Sequence, residues 1–181
     1  MSKARLKVKL TRRNFTIGGA LAGAAAMIAC RGAKANNWEF LRDAHARALG
    51  GLCDQIIPAD DFPSASQAGV VNYIDRQLAR HYQRHQSAYR EGLDAIDEMS
   101  RRRFGVAYAD AGADQRLQIV IAIEKEKRDF FELVREHTME GYYGSPRHGG
   151  NRDAVSWRML GLDEPPLRGR AQYDLQKGSD G

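Results

Sequence analysis

The chain has 181 residues and a formal net charge of +5, and its positive charge is concentrated at one end. Residues 1–35 hold eight of the 28 Lys and Arg and no Asp or Glu, so the remainder has 20 basic and 23 acidic residues and a net charge of −3. That remainder lacks the basic footprint of nucleic-acid binders, and its single cysteine excludes an internal disulfide, a C-x-x-C-H haem site and an iron–sulfur cluster.

Residues 1–35 have the pattern of a bacterial signal peptide. A basic head leads to the pair Arg12 and Arg13, and an uncharged run of 13 residues follows at 17–29. That run is shorter than the roughly 18 residues that span a bilayer. Paired arginines before a weakly apolar, Ala/Gly-rich run indicate the twin-arginine export route, and Ala33–Ala35 predicts a cleavage site.

The two cysteines have different expected environments. Cys30 ends the stretch Met27–Cys30, which weakly resembles a lipobox, so lipidation of Cys30 is the alternative to cleavage after Ala35. Cys53 lies on an apolar helical stripe. This position favours a buried thiol over a disulfide to another chain.

After the signal, the apolar pattern predicts an all-α fold, a small helical bundle. Apolar residues recur at spacings of three and four in five stretches, and no stretch alternates as a strand would. Pro58 ends the first stretch, and Ser64 with Gln67 forms a possible capping box for the second. The predicted core positions are, in chain order, Leu49, Leu52, Cys53 and Ile56; Val70 or Val71, Ile74 and Leu78; Tyr89, Leu93, Ile96 and Met99; Leu117, Val120, Ile121 and Ile123; Phe130, Phe131, Val134, His137 and Thr138.

Residues that interrupt helices predict where the helices and the domain end. The third helix should end near Phe104, and the fourth should begin within 110–114 and either stop or continue into the fifth, which closes at Gly141. We predict one helical domain over residues 36–165 and a polar C-terminal tail over 166–181.

The segment Gly141–Gly161 is rich in glycine and aromatic residues and does not read as ordinary helix. Gly149–Asn151 suits a tight turn with positive φ, after which Asn151 or Asp153 would cap a short helix ending at Leu160. Its aromatic residues are typical either of an interface or of a loop folded onto its own core with Trp157 buried.

Catalytic patterns are sparse. Neither a dinucleotide-binding glycine motif after a strand nor a G-x-S-x-G elbow occurs. His81 and His85 have a spacing that allows metal chelation, but a solvated helix end is favoured, and Asp60–Asp61 reads as a loop rather than a calcium site. His137 is expected to be a satisfied, half-buried histidine, whereas His148 lies where a partner would meet it.

Four blocks of sequence, in this order, resemble subunit 3 of membrane-associated gluconate 2-dehydrogenase. The resemblance covers roughly residues 40–162, along with the signal. It rests on DQIIPADD at Asp54–Asp61, AGVVNYIDRQL at Ala68–Leu78, FFELVREHTMEGYYGSP at Phe130–Pro146 and GGNRDAVSWRMLG at Gly149–Gly161. The family often has Ser-Asp-Pro and an aromatic residue before Gly-Gly-Asn, where this chain has Gly-Ser-Pro-Arg-His.

The resemblance implies a non-catalytic small subunit with no cofactor of its own. Its partners would be an FAD-binding dehydrogenase of the glucose–methanol–choline type, a multihaem cytochrome c and, during export, the twin-arginine translocase. The complex would lie in the periplasm, peripheral to the inner membrane, and oxidise a sugar or sugar acid. The resemblance favours an interface role for one group of residues: Tyr142, Tyr143, His148, Gly149, Gly150, Asn151 and Trp157.

Three alternatives stay open at this stage. The chain could serve another FAD sugar dehydrogenase, such as a glycoside 3-dehydrogenase. It could also be a stand-alone periplasmic binding module. The third alternative is a small metal-dependent hydrolase that uses His81, His85 and Asp75.

Overall fold

The computed structural model describes residues 38–162, and within that range it confirms the predicted all-α fold. Six α-helices and four short 3-10 turns account for 72% of these residues, with no strand. The α-helices are α1 Asp43–Ile56, α2 Val70–Ala79, α3 Gln86–Phe104, α4 Ala113–Glu126, α5 Arg128–Tyr143 and α6 Val155–Met159. The 3-10 turns are Gln83–His85, Tyr108–Asp110, Pro146–His148 and Arg152–Ala154. The predicted signal with Arg12, Arg13 and Cys30, and the predicted tail, lie outside the described residues.

Helix α1 is the central element, in contact with α2, α3, α4 and α5. Its predicted stripe is confirmed, because Leu49, Leu52 and Cys53 have no exposed surface. The helix ends at Ile56, two residues before Pro58, as the proline requires.

The segment that precedes α1 is held by a buried carboxylate on α2. Both oxygens of Asp75 accept backbone N–H groups, from Glu39 at 2.7 Å, Phe40 at 3.0 Å and Leu41 at 2.8 Å. Arg80, the residue that follows α2, forms an ion pair with Glu39 at 3.1 Å. The segment leading into α1 is therefore anchored on α2.

The predicted capping box forms, but it caps a single turn. Ser64 N–H donates to Oε1 of Gln67 at 2.9 Å, and Gln67 N–H faces Oγ of Ser64 at 3.4 Å. The turn then stops at Gly69, whose φ of 83° leaves the helical region, and α2 begins only at Val70. Along α2 the predicted core residues Ile74 and Leu78 are fully buried.

Helix α3 matches its predicted stripe, whereas α4 departs from it. Tyr89, Leu93 and Ile96 have no exposed surface, and α3 ends at Phe104 with Gly105 as the left-handed cap. On α4 the prediction was wrong for Leu117 and Ile121, which are 50% and 46% exposed.

The buried positions on α4 are Ile119, Val120 and Ile123. Ile119 lies about 200° round the helix from Leu117, so the two cannot share a buried face. Because α4 carries apolar residues on several sides, its sequence pattern does not show which side faces the core.

Helices α4 and α5 are separate. Lys127, at φ −137° and ψ 53°, interrupts the helical backbone between them. Helix α5 then packs on α2 and runs to Tyr143, so Gly141 does not end it as predicted. Gly141 instead lets α2 approach closely, since a Cβ there would lie 2.8 Å from the ring of Tyr73. None of the helices between residues 38 and 162 combines the length and apolar character that crossing a bilayer requires.

Candidate docking face

The segment after α5 folds back over α2 and α5. It contains the turns Pro146–His148 and Arg152–Ala154 and then α6. Arg152 N–H donates to the carbonyl of Ala68 at 2.8 Å, which joins the segment to the turn preceding α2. Gly149 adopts φ 99°, which confirms the predicted tight turn.

Close backbone packing fixes the position of this segment. Gly150 is buried against α5, and a Cβ on it would overlap the carbonyl oxygen of Gly141. Only a residue without a side chain allows two backbones to approach this closely. The loop and α5 therefore form one rigid support.

Asn151 connects the end of α5 with the start of α6. Its side chain is fully buried, donates from Nδ2 to the carbonyl of Gly144 at 2.8 Å and accepts at Oδ1 the N–H of Ser156 at 2.9 Å. The N-cap residue of α6 is Ala154, not Asn151 or Asp153 as predicted, although Asn151 does bind an N–H of the first turn. The two residues before α6, Asp153 and Ala154, hold positive φ values of 56° and 53°.

The two adjacent tyrosines at the end of α5 point to different environments. Tyr142 is 2% exposed, and its hydroxyl donates to the carbonyl of Pro63 at 2.8 Å. Tyr143 is 37% exposed, and its backbone carbonyl accepts the indole N–H of Trp157 at 3.0 Å. Tyr142 therefore supports the loop from inside, while Tyr143 presents its ring to solvent.

Exposed or half-buried apolar side chains occur at the end of α5 and on the segment after it, and we call this group the apolar face: Met139, Tyr143, Trp157, Leu160 and Leu162. Met139 lies one turn before Tyr143 on α5, so the two share a side of the helix. Trp157 is linked to Tyr143 through its indole and to Leu162, whose N–H donates to the Trp157 carbonyl at 2.8 Å. The exposed fractions are 41% for Met139 and 55% for each of Leu160 and Leu162.

A second group, which we call the basic cluster, consists of Arg76, Arg147 and Arg152 around the turn at Gly149. Arg76 on α2 reaches the turn, since its Nη1 would be 2.9 Å from a Cβ on Gly149. Nη2 of Arg152 lies 3.7 Å from a Cβ position on Gly69, and the same position is 3.0 Å from the Gly149 carbonyl oxygen. Arg147 comes two residues before Gly149 and is exposed.

The structure brings the seven predicted interface residues into one region but at different depths. Three of them, Tyr142, Gly150 and Asn151, are buried within the chain. Tyr143 and His148 are exposed, and Gly149 and Trp157 are half-buried. An interface role for these residues stays a prediction, in which the buried members shape the surface and the exposed members touch the partner.

The sequence interpretation missed most of the apolar face and the basic cluster. The sequence pattern alone does not show whether Met139, Leu160 and Leu162 are buried or exposed. Arg76 and Arg152 lie within two of the four blocks that resemble the family, which was the one available signal. Their proximity depends on the fold.

The residues of the hydrolase alternative do not meet. Asp75 is buried with both oxygens bound to backbone N–H groups, whereas His81 is exposed. His85 accepts a hydrogen bond at Nε2 from Arg84 at 3.0 Å. Between residues 38 and 162, no three His, Cys, Asp or Glu side chains are grouped as metal ligands.

A buried polar cluster surrounds His137, as expected for a satisfied histidine. Its ring is stacked between Tyr82 and Tyr89, with centroid distances of 4.4 and 5.8 Å. Nδ1 pairs with the Tyr89 hydroxyl at 3.0 Å. Burial lowers the pKa of His137, and nearby Glu140 opposes that change only in part.

Cys53 is a buried free thiol, as its position on the helical stripe predicts. Sγ lies 3.3 Å from Oγ1 of Thr138. Burial raises the pKa of the Cys53 thiol to about 12, because the thiolate would lose its hydration in the core.

Comparison with known proteins gives one result that bears on this geometry. The family model described as gluconate 2-dehydrogenase subunit 3 matches residues 43–163, which extend from the first residue of α1 through both groups of the docking face. No curated protein and no solved structure gives a significant match. The match covers well over half of the chain and coincides with the helical domain. The chain therefore belongs to the gluconate 2-dehydrogenase subunit 3 family.

Proposed function

We propose that this chain is a non-catalytic small subunit of a periplasmic, FAD-dependent sugar or sugar-acid dehydrogenase complex. In this role it binds a flavin subunit of the glucose–methanol–choline type in the cytoplasm, escorts it through twin-arginine export and stabilises it afterwards. A multihaem cytochrome c would receive the electrons. The chain itself would supply binding surface rather than catalytic groups.

The observation that carries the proposal is the apolar face. Four of its side chains are more than a third exposed, and the indole N–H of Trp157 fixes this ring against the end of α5. Aromatic residues, Met and Arg are enriched in the centres of protein interfaces. Rigid support matters as well, because a surface that is already ordered loses less conformational entropy when a partner binds.

Export of a folded partner explains why a small subunit would carry the signal. The twin-arginine route accepts folded cargo, and flavin is inserted in the cytoplasm. A flavoprotein without a signal would cross only while bound to a chain that has one. The complex must then be stable before translocation, which requires a specific docking surface on the escort.

Co-expression of both subunits tests the proposal. Arg12→Lys/Arg13→Lys should retain the flavin subunit and its dehydrogenase activity in the cytoplasm, whereas the intact signal should deliver both to the periplasm. Arg5→Lys, which preserves the arginine pair, is the matched control and should export normally. Full periplasmic activity with the double lysine variant would refute the escort role.

The choice of substrate would depend on the flavin subunit. Gluconate is the substrate in the family's name, and a glycoside 3-dehydrogenase partner is the second candidate suggested by the sequence resemblance. Assaying the purified complex with gluconate and with glycosides, and identifying the oxidised carbon of each product, separates these two candidates.

A further inference from the structure

The arginines of the basic cluster lie around a close contact between two segments of backbone. A Cβ position on Gly69 lies 3.0 Å from the Gly149 carbonyl oxygen, so the two backbones are in contact. Arg76 reaches Gly149, and Arg152 reaches Gly69. Two guanidinium groups therefore lie close to the same backbone contact.

These arginines form no ion pair within the part of the chain that is described. Arg76, Arg147 and Arg152 have no carboxylate within 4.0 Å among residues 38–162, and none of their side chains donates a hydrogen bond there. Arg80 provides a contrast, because this residue at the end of α2 pairs with both oxygens of Glu39. The three exposed arginines therefore carry positive charge that no carboxylate of this range neutralises at close distance, and an anion that approaches them would be attracted.

The cluster does not reflect a generally basic domain. Residues 38–162 contain 17 Lys and Arg and 19 Asp and Glu, a net charge of −2. The nearest acidic residue along the loop is Asp153, which follows Arg152 but does not pair with it. A positive surface on a negatively charged domain selects a local anionic partner rather than a long anionic polymer.

The chemistry of the cluster favours a protein carboxylate. All three cations are arginines, whose planar guanidinium binds a carboxylate through two parallel hydrogen bonds. Trp157, Leu160 and Leu162 of the apolar face lie on the same C-terminal segment as Arg147 and Arg152. An apolar centre with a polar rim is the usual composition of a protein interface. An anionic membrane would be opposed by the net negative charge of the domain.

We propose that the basic cluster binds a carboxylate-bearing segment, with Asp or Glu side chains, on the surface of the flavin subunit. This inference rests on the proposed function and adds to it the charge and position of the partner's contact. The apolar face would supply most of the buried area. The arginines would set the register of docking and accelerate association.

Affinity measurements on neutralised variants test the inference. The variant Arg76→Gln/Arg147→Gln/Arg152→Gln removes the cluster, and the control Arg80→Gln/Arg102→Gln/Arg135→Gln removes three exposed arginines elsewhere with the same change in net charge. Binding of the purified flavin subunit is measured over a series of salt concentrations. The cluster variant should bind about tenfold or more weakly and lose most of its salt dependence, while the control stays within about twofold of the wild type.

Zero-length cross-linking identifies the contact directly. Arg76→Lys and Arg152→Lys keep the charge and supply an amine that a carbodiimide couples to a neighbouring carboxylate, with loss of water and formation of an amide bond. Mass spectrometry of the complex should locate an Asp or Glu of the flavin subunit. Arg102→Lys is the matched control and should give no such product.

The outcomes separate the two proposals. If the wild-type chain does not bind the flavin subunit, both the proposed function and this inference fail. If it binds and the cluster variant binds equally well, only the inference fails. Cross-links to this chain's own Asp163 or Glu164, or cluster-dependent binding to anionic phospholipid vesicles with intact flavin-subunit binding, would also overturn it.

Discussion

Oδ1 of Asp75 accepts the backbone N–H of Leu41 at 2.8 Å, and both groups are buried. The bond joins the middle of α2 to the segment before α1. Oδ2 binds the N–H of Glu39, so one carboxylate anchors the beginning of the described chain. Asp75 is part of the AGVVNYIDRQL block, and the structure gives it a folding role rather than the metal-binding role of the hydrolase alternative.

Asp75→Asn should lower the free energy of unfolding by about 3 kcal/mol, since an amide presents only one acceptor oxygen and places N–H donors against backbone N–H groups. Denaturant titration of residues 36–181 measures the change. Asp153→Asn, an exposed position at positive φ that asparagine tolerates, should change it by less than about 0.5 kcal/mol. Equal effects of the two substitutions would contradict the anchoring role.

Gly150→Ala should force the loop away from α5, because the new Cβ would overlap the Gly141 carbonyl. We expect a loss of about 2 kcal/mol or more in stability and faster proteolysis within residues 144–154. Gly112→Ala is the control. Its Cβ would have 3.7 Å to the nearest atom, and its φ is −67°. If the Gly150 variant were cleaved at the same rate as the wild type, the close packing would not be required to hold the loop on α5.

The stability of the domain should decrease as pH falls below the usual histidine value of 6.5, because burial lowers the pKa of His137. The unfolded chain then binds a proton that the folded chain excludes, so protonation favours unfolding. Glu136, Glu140, Arg84 and His85 also face this ring and modify the effect. Melting temperature measured between about pH 7.5 and about pH 5.5 gives the profile.

His137→Phe should flatten that profile even if it lowers stability at every pH, since phenylalanine cannot titrate. His81→Gln, at an exposed position, should keep the wild-type slope. Parallel profiles for the wild type and the His137 variant would assign the pH dependence to other groups.

Leu160→Ser/Leu162→Ser should weaken binding of the flavin subunit by about 2 kcal/mol, roughly thirtyfold, with little effect on the melting temperature of the free chain. Leu117→Ser/Ile121→Ser on α4 is a closely matched control, because its two side chains are 50% and 46% exposed compared with 55% each. Titration calorimetry with the flavin subunit compares them. A larger effect of the α4 pair would move the docking face to that helix.

The sequence predicts a helix well where its apolar spacing is regular and a helix-breaking residue marks its end. Tyr89, Leu93 and Ile96 repeat at helical spacing, Gly105 stops the helix, and the structure agrees. It could not predict where α2 starts, because Gly69 interrupts the helix at the site where the C-terminal segment docks, a contact between distant parts of the chain. The approach of Arg76 to Gly149 has the same origin, so no local pattern reveals the basic cluster.

The chemical reactivity of Cys53 shows whether the helical bundle is closed or open. A thiol that is enclosed by α1 and α5, with its pKa raised to about 12, does not react with alkylating reagents unless the bundle opens. The rate of modification of residues 36–181 therefore measures the opening of the bundle without any added label. In the folded variant Leu160→Cys, only the exposed cysteine at position 160 would react, because Cys53 is buried. A fluorophore can therefore be attached to the apolar face without replacing the native thiol.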